Sequence, residues 1–149
     1  MENTYHNLLY HVIFSVKERM KLITPDFEND LHSYIAGIAK ANNFLVKEIN
    51  GTRDHIHILL ILKTDMPVSK AVQLIKGGSS KWLREKFKNL NIFAWQTGYG
   101  VFTVSQSQVD VLSKYIRNQK IHHRETGLQT EYEAFLQKNK VIYKREYLS

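Results

Sequence analysis

The chain has 149 residues, 43% hydrophobic and 23% charged, with a formal net charge of +7 and no cysteine. This composition fits one globular domain over residues 1–149 and excludes disulfide or thiolate chemistry. The positive balance favours a polyanionic partner, nucleic acid before any other.

The start of the chain, "MENTYHNLLYHVIFS", lacks the basic, apolar and small-residue segments of a secretory signal. The longest aliphatic run, "IHILLIL", is far too short to cross a bilayer. A cytoplasmic protein without a membrane partner is expected.

"LLYHVIFSV", Leu8 to Val16, is rich in β-formers and reads as a strand. In "TPDF", Thr24 is placed to cap a helix whose first residue is Pro25. Leu31, Tyr34, Ile35 and Ile38 then follow helical spacing, and the helix ends near "ANN". Phe44 to Gly51 and His55 to Leu62 read as two strands joined by a short polar turn.

Val68, Val72, Ile75, Trp82 and Leu83 mark a further helix, interrupted in sequence by Gly77 and Gly78. Paired glycines are unfavourable inside a plain helix and point to a kink or to close approach of a backbone or phosphate. Ile92 to Ser105 is a strand-like aromatic stretch, and "SQVDVLSKYIRNQKIHH" is an amphipathic helix. Another short helix is expected near "TEYEAFLQKN". The order β, α, β, β, α, β, α predicts an α+β chain. Its first six elements match a ferredoxin-like βαββαβ antiparallel sheet with helices on one face, and a C-terminal helix follows. The other face of such a sheet is open to a second subunit or a nucleic acid.

"RDHIHILLIL" places His55 and His57 on the same face of one strand, about 6–7 Å apart. Two imidazoles at that spacing can converge on one ion but need further ligands. Alone, the tripeptide is a weak motif, since strand histidines are more often plain surface or core residues. In the amphipathic helix, Val109, Leu112 and Ile116 form the apolar stripe. Gln119 falls about 20° from Leu112, inside that stripe, and Tyr115 lies one turn earlier on the same face. A buried amide needs a partner. A metal ion reached through the amide oxygen is one, and a hydrogen-bonded glutamine beside a core tyrosine is the other.

"DHIH" resembles the histidine–hydrophobic–histidine motif of HUH single-strand nucleases. "YIRNQ", Tyr115 to Gln119, resembles the single-tyrosine helix of the IS200/IS605-type transposases. "KGGSSKWL", "WQTGYGVFTVS" and the C-terminal "HHR…EYEAFL…Y" are similar to stretches of the same small enzymes. The resemblance implies that His55, His57 and Gln119 hold Mg²⁺ or Mn²⁺ and that Tyr115 is the nucleophile. It implies a homodimer, with active sites that can combine the tyrosine helix of one subunit with the histidines of the other. The implied partner is single-stranded DNA marked by hairpins.

A free phenol has a pKa of about 10 and is a poor nucleophile near neutrality. A divalent ion would neutralise charge developing on the scissile phosphate. Two imidazoles and an amide make an uncharged ligand set, so weak metal binding without DNA is expected. Attack by Tyr115 would leave a 5′-phosphotyrosine and a free 3′-OH, preserving a phosphodiester for rejoining without ATP.

Arg53, Lys76, Lys81, Arg84, Lys86 and Lys88 are the expected phosphate contacts. Trp82 or Trp95 could stack on bases, although core packing suits Trp82 better. His122 and His123 extend the basic helix end, as a C-terminal cap or as DNA contacts. Two other readings stand beside the transposase. One is a domesticated, REP-associated relative using the same chemistry on repeated palindromes. The other is a non-catalytic ferredoxin-like nucleic-acid-binding module, whose sheet would need an aromatic platform that "HIHILLIL" does not supply.

Overall fold

The structure is a computed structural model, and it describes residues 3–121 and 127–141. His122 and His123 lie outside the described residues. Four strands, β1 (Leu8–Ser15), β2 (Leu45–Gly51), β3 (His55–Leu62) and β4 (Gly100–Thr103), form one antiparallel sheet in the order β2-β3-β1-β4. Helix α1 (Pro25–Ala41) joins β1 to β2, and α2 (Val68–Lys86) joins β3 to β4. This is the expected ferredoxin-like plan.

The central strands β1 and β3 are β-branched, aromatic and aliphatic along their length, as strands covered on both faces must be. Alternation divides their side chains. Val12, Phe14, Ile56, Ile58, Leu60 and Leu62 join α1 and α2 in the main apolar core. Leu9, Ile13 and Leu59 point the other way, together with His11, His55 and His57.

That second face, which the sequence left open to a second subunit or a nucleic acid, is covered by the chain itself. Helices α3 (Val109–Arg117) and α4 (Leu128–Lys138) pack there, through Val109 and Ile116 against Leu9 and Leu59, and through Leu128, Tyr132 and Leu136 against Ile13 and Phe102. The helix expected over Ser107 to His123 is broken at Asn118, and residues 119–121 resume helical conformation.

Two further expectations change. Gly77 and Gly78 do not kink α2, which runs unbroken. Instead, a Cβ on Gly78 would stand 2.8 Å from Ile38 Cδ1, so the glycine lets α1 and α2 approach. The strand expected over Ile92 to Ser105 shrinks to Gly100–Thr103. Its earlier aromatics, Phe93 and Trp95, plug the main core from irregular backbone, and Trp95 keeps only a single bridge to Val16.

The turn from β2 to β3 sets the origin of the histidine strand. Gly51 is required there, because a Cβ would sit 2.1 Å from the His55 carbonyl oxygen. Thr52 N–H donates to that carbonyl at 3.0 Å, and the carbonyls of Arg53 and Asp54 accept from Ile23 and Val16. The turn is therefore fixed from both ends before any side chain is considered.

Candidate functional site

His55 and His57 lie fully buried on the face covered by α3 and α4. His55 Nδ1 faces Asp54 Oδ1 at 2.8 Å and Thr52 Oγ1 at 2.9 Å. His57 Nδ1 faces Nε2 of His11, on the adjacent strand, at 2.9 Å. The Nε2 atoms of both imidazoles therefore turn to the same side, which is how second-layer hydrogen bonds orient metal-binding histidines.

On that side stand three groups from the covering helices. Gln119 Oε1 lies 3.0 Å from His55 Nε2. Glu131 Oε1, from α4, lies 2.8 Å from His57 Nε2 and accepts from Gln119 Nε2 at 3.1 Å. The Tyr115 hydroxyl hydrogen-bonds with Glu131 and Gln119, and its ring centroid is 6.0 Å from that of His57. The structure thus brings Tyr115, His55, His57 and Gln119 together within one chain.

Glu131 was not anticipated, yet the pattern that singled out Gln119 also finds it. Leu128, Glu131 and Phe135 recur at i, i+3 and i+7, so the carboxylate lies on an apolar stripe. His11 carried a similar signal, alternating with Leu9 and Ile13 on a covered strand face.

The charges are strongly coupled. Burial works to raise the Glu131 pKa, but the hydrogen bond and charge of His57, with help from Tyr115 and His55, bring it down to about 2. Burial likewise opposes ionisation of Asp54, and His55, Thr52 and Arg19 outweigh it, again to about 2. Burial pushes the Tyr115 phenol well above its ordinary range; the Glu131 hydrogen bond and charge push it further, and Gln119 pulls the other way. Burial, then His57, hold the pKa of His11 well below the usual histidine value, against the pull of Glu131.

Ligand atoms of His55, His57 and Glu131 lie within 4.8 Å of one another. Donors on a metal with bonds of about 2.1 Å at right angles are about 3 Å apart. The 2.8 Å and 3.0 Å separations at the Nε2 atoms match that spacing. Two imidazoles, an amide oxygen and a carboxylate suit a divalent cation of the magnesium–manganese kind. The set carries a negative charge, which corrects the expectation of an uncharged site.

The basic residues are scattered. Arg53 is exposed at the β2–β3 turn, and it lines a cavity of about 430 Å³ with Lys21 and Lys120. Lys81, Arg84, Lys86 and Lys88 are exposed along or just beyond α2, on the opposite side of the sheet from the histidines. Arg84 donates to the Phe93 carbonyl at 3.1 Å. Lys76 spends two donors on the carbonyls of Gln96 and Gly98, both at 2.7 Å, so it holds a loop. Trp95 is 8% exposed and its indole donates to Ser79, which leaves no ring face for a base. Trp82 stacks on Tyr34 at 4.6 Å, with the Lys86 ammonium 5.0 Å from its ring.

The family model described as "Transposase IS200 like" matches residues 4–119. The transposase for insertion sequence element IS200 of Salmonella typhimurium LT2 is 31% identical over 124 residues, covering 80% of this chain and 81% of that protein. The ISDra2 transposase TnpA of Deinococcus radiodurans is 28% identical over 121 residues, covering 76% and 85%. A solved REP-associated tyrosine transposase bound to a REP hairpin shares the fold, with a TM-score of 0.61 and 17% identity, over 81% of this chain and 72% of that one.

Proposed function

The chain belongs to the IS200-like transposase family, and we propose that this transposase cuts and rejoins single-stranded DNA at hairpin-marked ends through Tyr115. The observation that carries this reading is the meeting of the Tyr115 hydroxyl with the His55, His57, Gln119 and Glu131 cluster.

His55 and His57 would hold a divalent cation, together with the Gln119 amide oxygen and the Glu131 carboxylate. Asp54 and Thr52 position His55, and His11 positions His57. When bound, Mg²⁺ or Mn²⁺ supplies positive charge against that of Glu131 and of the scissile phosphate. The Tyr115 Oη attacks phosphorus, and the bond from phosphorus to the 3′ oxygen breaks. The phenol proton is lost to solvent past the Glu131 carboxylate, which is too weak a base to keep it, and the departing 3′ oxygen takes up a proton from water. The fragment released ends in a 3′-OH, and the other stays on Tyr115 as a 5′-phosphotyrosine. A second DNA 3′-OH displaces the phenolate, which leaves more readily than an alkoxide.

The strand must be unpaired, because the site is enclosed between α3, α4 and the sheet. Arg53, two residues before His55 in the chain, contacts phosphate beside the centre. Lys81 and Arg84, on the far side, bind DNA remote from the cut, and Lys76 contributes only its field. The reading includes one domain over residues 1–149 and a homodimer acting in the cytoplasm. Among the described residues no helix is long and apolar enough to cross a membrane. Light scattering tests the dimer, against a chain mass of 17.5 kDa.

The decisive assay incubates end-labelled single strands carrying element-end hairpins with protein and Mg²⁺ or Mn²⁺. A denaturation-resistant protein–DNA adduct is expected, absent in Tyr115→Phe. In Glu131→Gln, Mn²⁺ affinity should fall about 10–100-fold, as measured by titration calorimetry. Cleavage that persists in both Tyr115→Phe and His57→Ala would overturn the mechanism. A REP hairpin, the DNA bound by the structural neighbour, is the second candidate substrate. A REP hairpin strand run in parallel separates the two by which substrate is cut.

A further inference from the structure

The histidines and Gln119 are fully buried, whereas Tyr115 is only partly so. The phenol and His11 form part of the wall of a cleft of about 540 Å³ between the end of β4, α3 and α4. That volume is within the range of about 300–1,000 Å³ common for small-molecule sites. Its inner wall is apolar, from Phe102, Val104, Leu112 and Phe135. Its outer residues include Gln108, Lys138 and Asn139, all exposed.

Phe135 stands at the junction of cleft and catalytic centre. Its ring is 5.6 Å from that of Tyr115 and 4.8 Å from that of His11, edge-on to both. Val111 is 65% exposed beside the cleft, an apolar side chain left in solvent where the helix gains nothing from it. A phosphate would be poorly solvated against such walls. A nucleobase has apolar faces and a hydrogen-bonding edge, which fit the aromatic interior and the amide-bearing rim. Lys138 is the one Lys, Arg, Asp or Glu among the described residues that line the cleft, and its sign suits the backbone of the same strand.

We propose that the cleft between α3 and α4 is a nucleobase subsite, which takes the unpaired base of a nucleotide adjoining the scissile phosphate and so delivers that phosphate to Tyr115. The inference rests on Tyr115 being the nucleophile. The base lies against Phe135, and its polar edge meets Gln108 and Asn139. The subsite orients the strand and contributes to which base is accepted beside the cut.

The test is a photocrosslink. Tyr115→Phe protein with Mn²⁺ is irradiated with a randomised single-stranded 12-mer carrying 5-iododeoxyuridine, and the adducts are mapped by mass spectrometry. Crosslinks to Phe135 or Phe102 are expected. Phe135→Leu, which keeps an apolar side chain in the packing, should weaken them about tenfold, the size of one lost stacking contact. Val111→Trp, which fills the cleft from outside, should unfold at the wild-type temperature and bind Mn²⁺ normally. Its rate of adduct formation with Tyr115 present should fall at least about tenfold.

Crosslinks confined to the α2 face would overturn the subsite, as would wild-type adduct rates in Val111→Trp. Protection of residues 108–115 from hydrogen exchange in a DNA-free dimer would assign the cleft to a second copy instead. Absence of any adduct with the wild-type chain would count against the transfer chemistry. The crosslink, which does not use the tyrosine hydroxyl, would still decide the cleft.

Discussion

The two faces of the sheet are built by alternate residues of the same strands, yet they are held in different ways. The face under α1 and α2 is closed by Val12, Phe14, Ile56, Ile58 and Leu60, all fully buried and apolar. The face under α3 and α4 buries His11, His55, His57, Gln119 and Glu131 among a smaller set of apolar contacts. Apolar burial needs no partner of defined direction, so the first face can be made from many sequences. Each polar group on the second requires a particular atom at a particular distance. The chain keeps its stability on one side and its chemistry on the other, one residue apart along β3.

Neighbouring substitutions should divide the two faces most sharply. Ile58→Ala should cost about 2–5 kcal/mol of stability, with or without Mn²⁺, by leaving a cavity in the main core. His57→Ala, one residue away, should abolish the stabilisation by Mn²⁺, which in the wild type amounts to about 2.7 kcal/mol at a hundredfold excess over Kd. Denaturant melts with and without metal check both. An equal loss of metal response in Ile58→Ala would erase the distinction.

Gly100 offers a smaller perturbation aimed at the second face. A Cβ there would stand 2.4 Å from the Tyr132 hydroxyl, so Gly100→Ala must shift the buried Tyr132 ring within α4's packing. A loss of about 1–3 kcal/mol is expected. Hydrogen exchange should quicken in α4 and stay unchanged in α1 and α2. Uniform loosening of all helices would show that the faces do not open separately.

The smallest effect is in alkaline solution. Burial pushes the Tyr132 phenol up to about 12. A raised native pKa means that the unfolded chain releases this proton first, near the ordinary value of about 10. The contribution to stability is complete below that pH and is lost as pH rises through about 12. Tyr132→Phe should therefore show a shallower decline over that interval in pH-dependent melts. An unchanged slope would mean that the second face opens before the tyrosine titrates.

Much of the fold was legible because its signals are short-range. The β3 boundaries, the Thr24–Pro25 helix start and the shared face of His55 and His57 follow from backbone periods of two and 3.6 residues. Tyr115 and Gln119 were legible for the same reason, four residues apart on one expected helical stripe, and they stay close although α3 ends at Arg117. The aromatic segment from Ile92 to Ser105 misled, because Phe93 and Trp95 look like strand residues but fill the core from irregular backbone. Lys76 misled similarly: a lysine in a basic stretch carries no local mark that two loop carbonyls will occupy its ammonium.

The sequence by itself determined the strand and helix pattern, the doublet of imidazoles and the phenol–amide pair, since each depends on neighbours a few residues apart. Only the tertiary structure decided that Glu131 reaches His57, that His11 backs the same ring and that α3 and α4 close the sheet over them. Those contacts join residues 12 to 74 positions apart, and their geometry is set by how whole helices dock. Docking sums many weak, undirected contacts, which no local window of the chain contains.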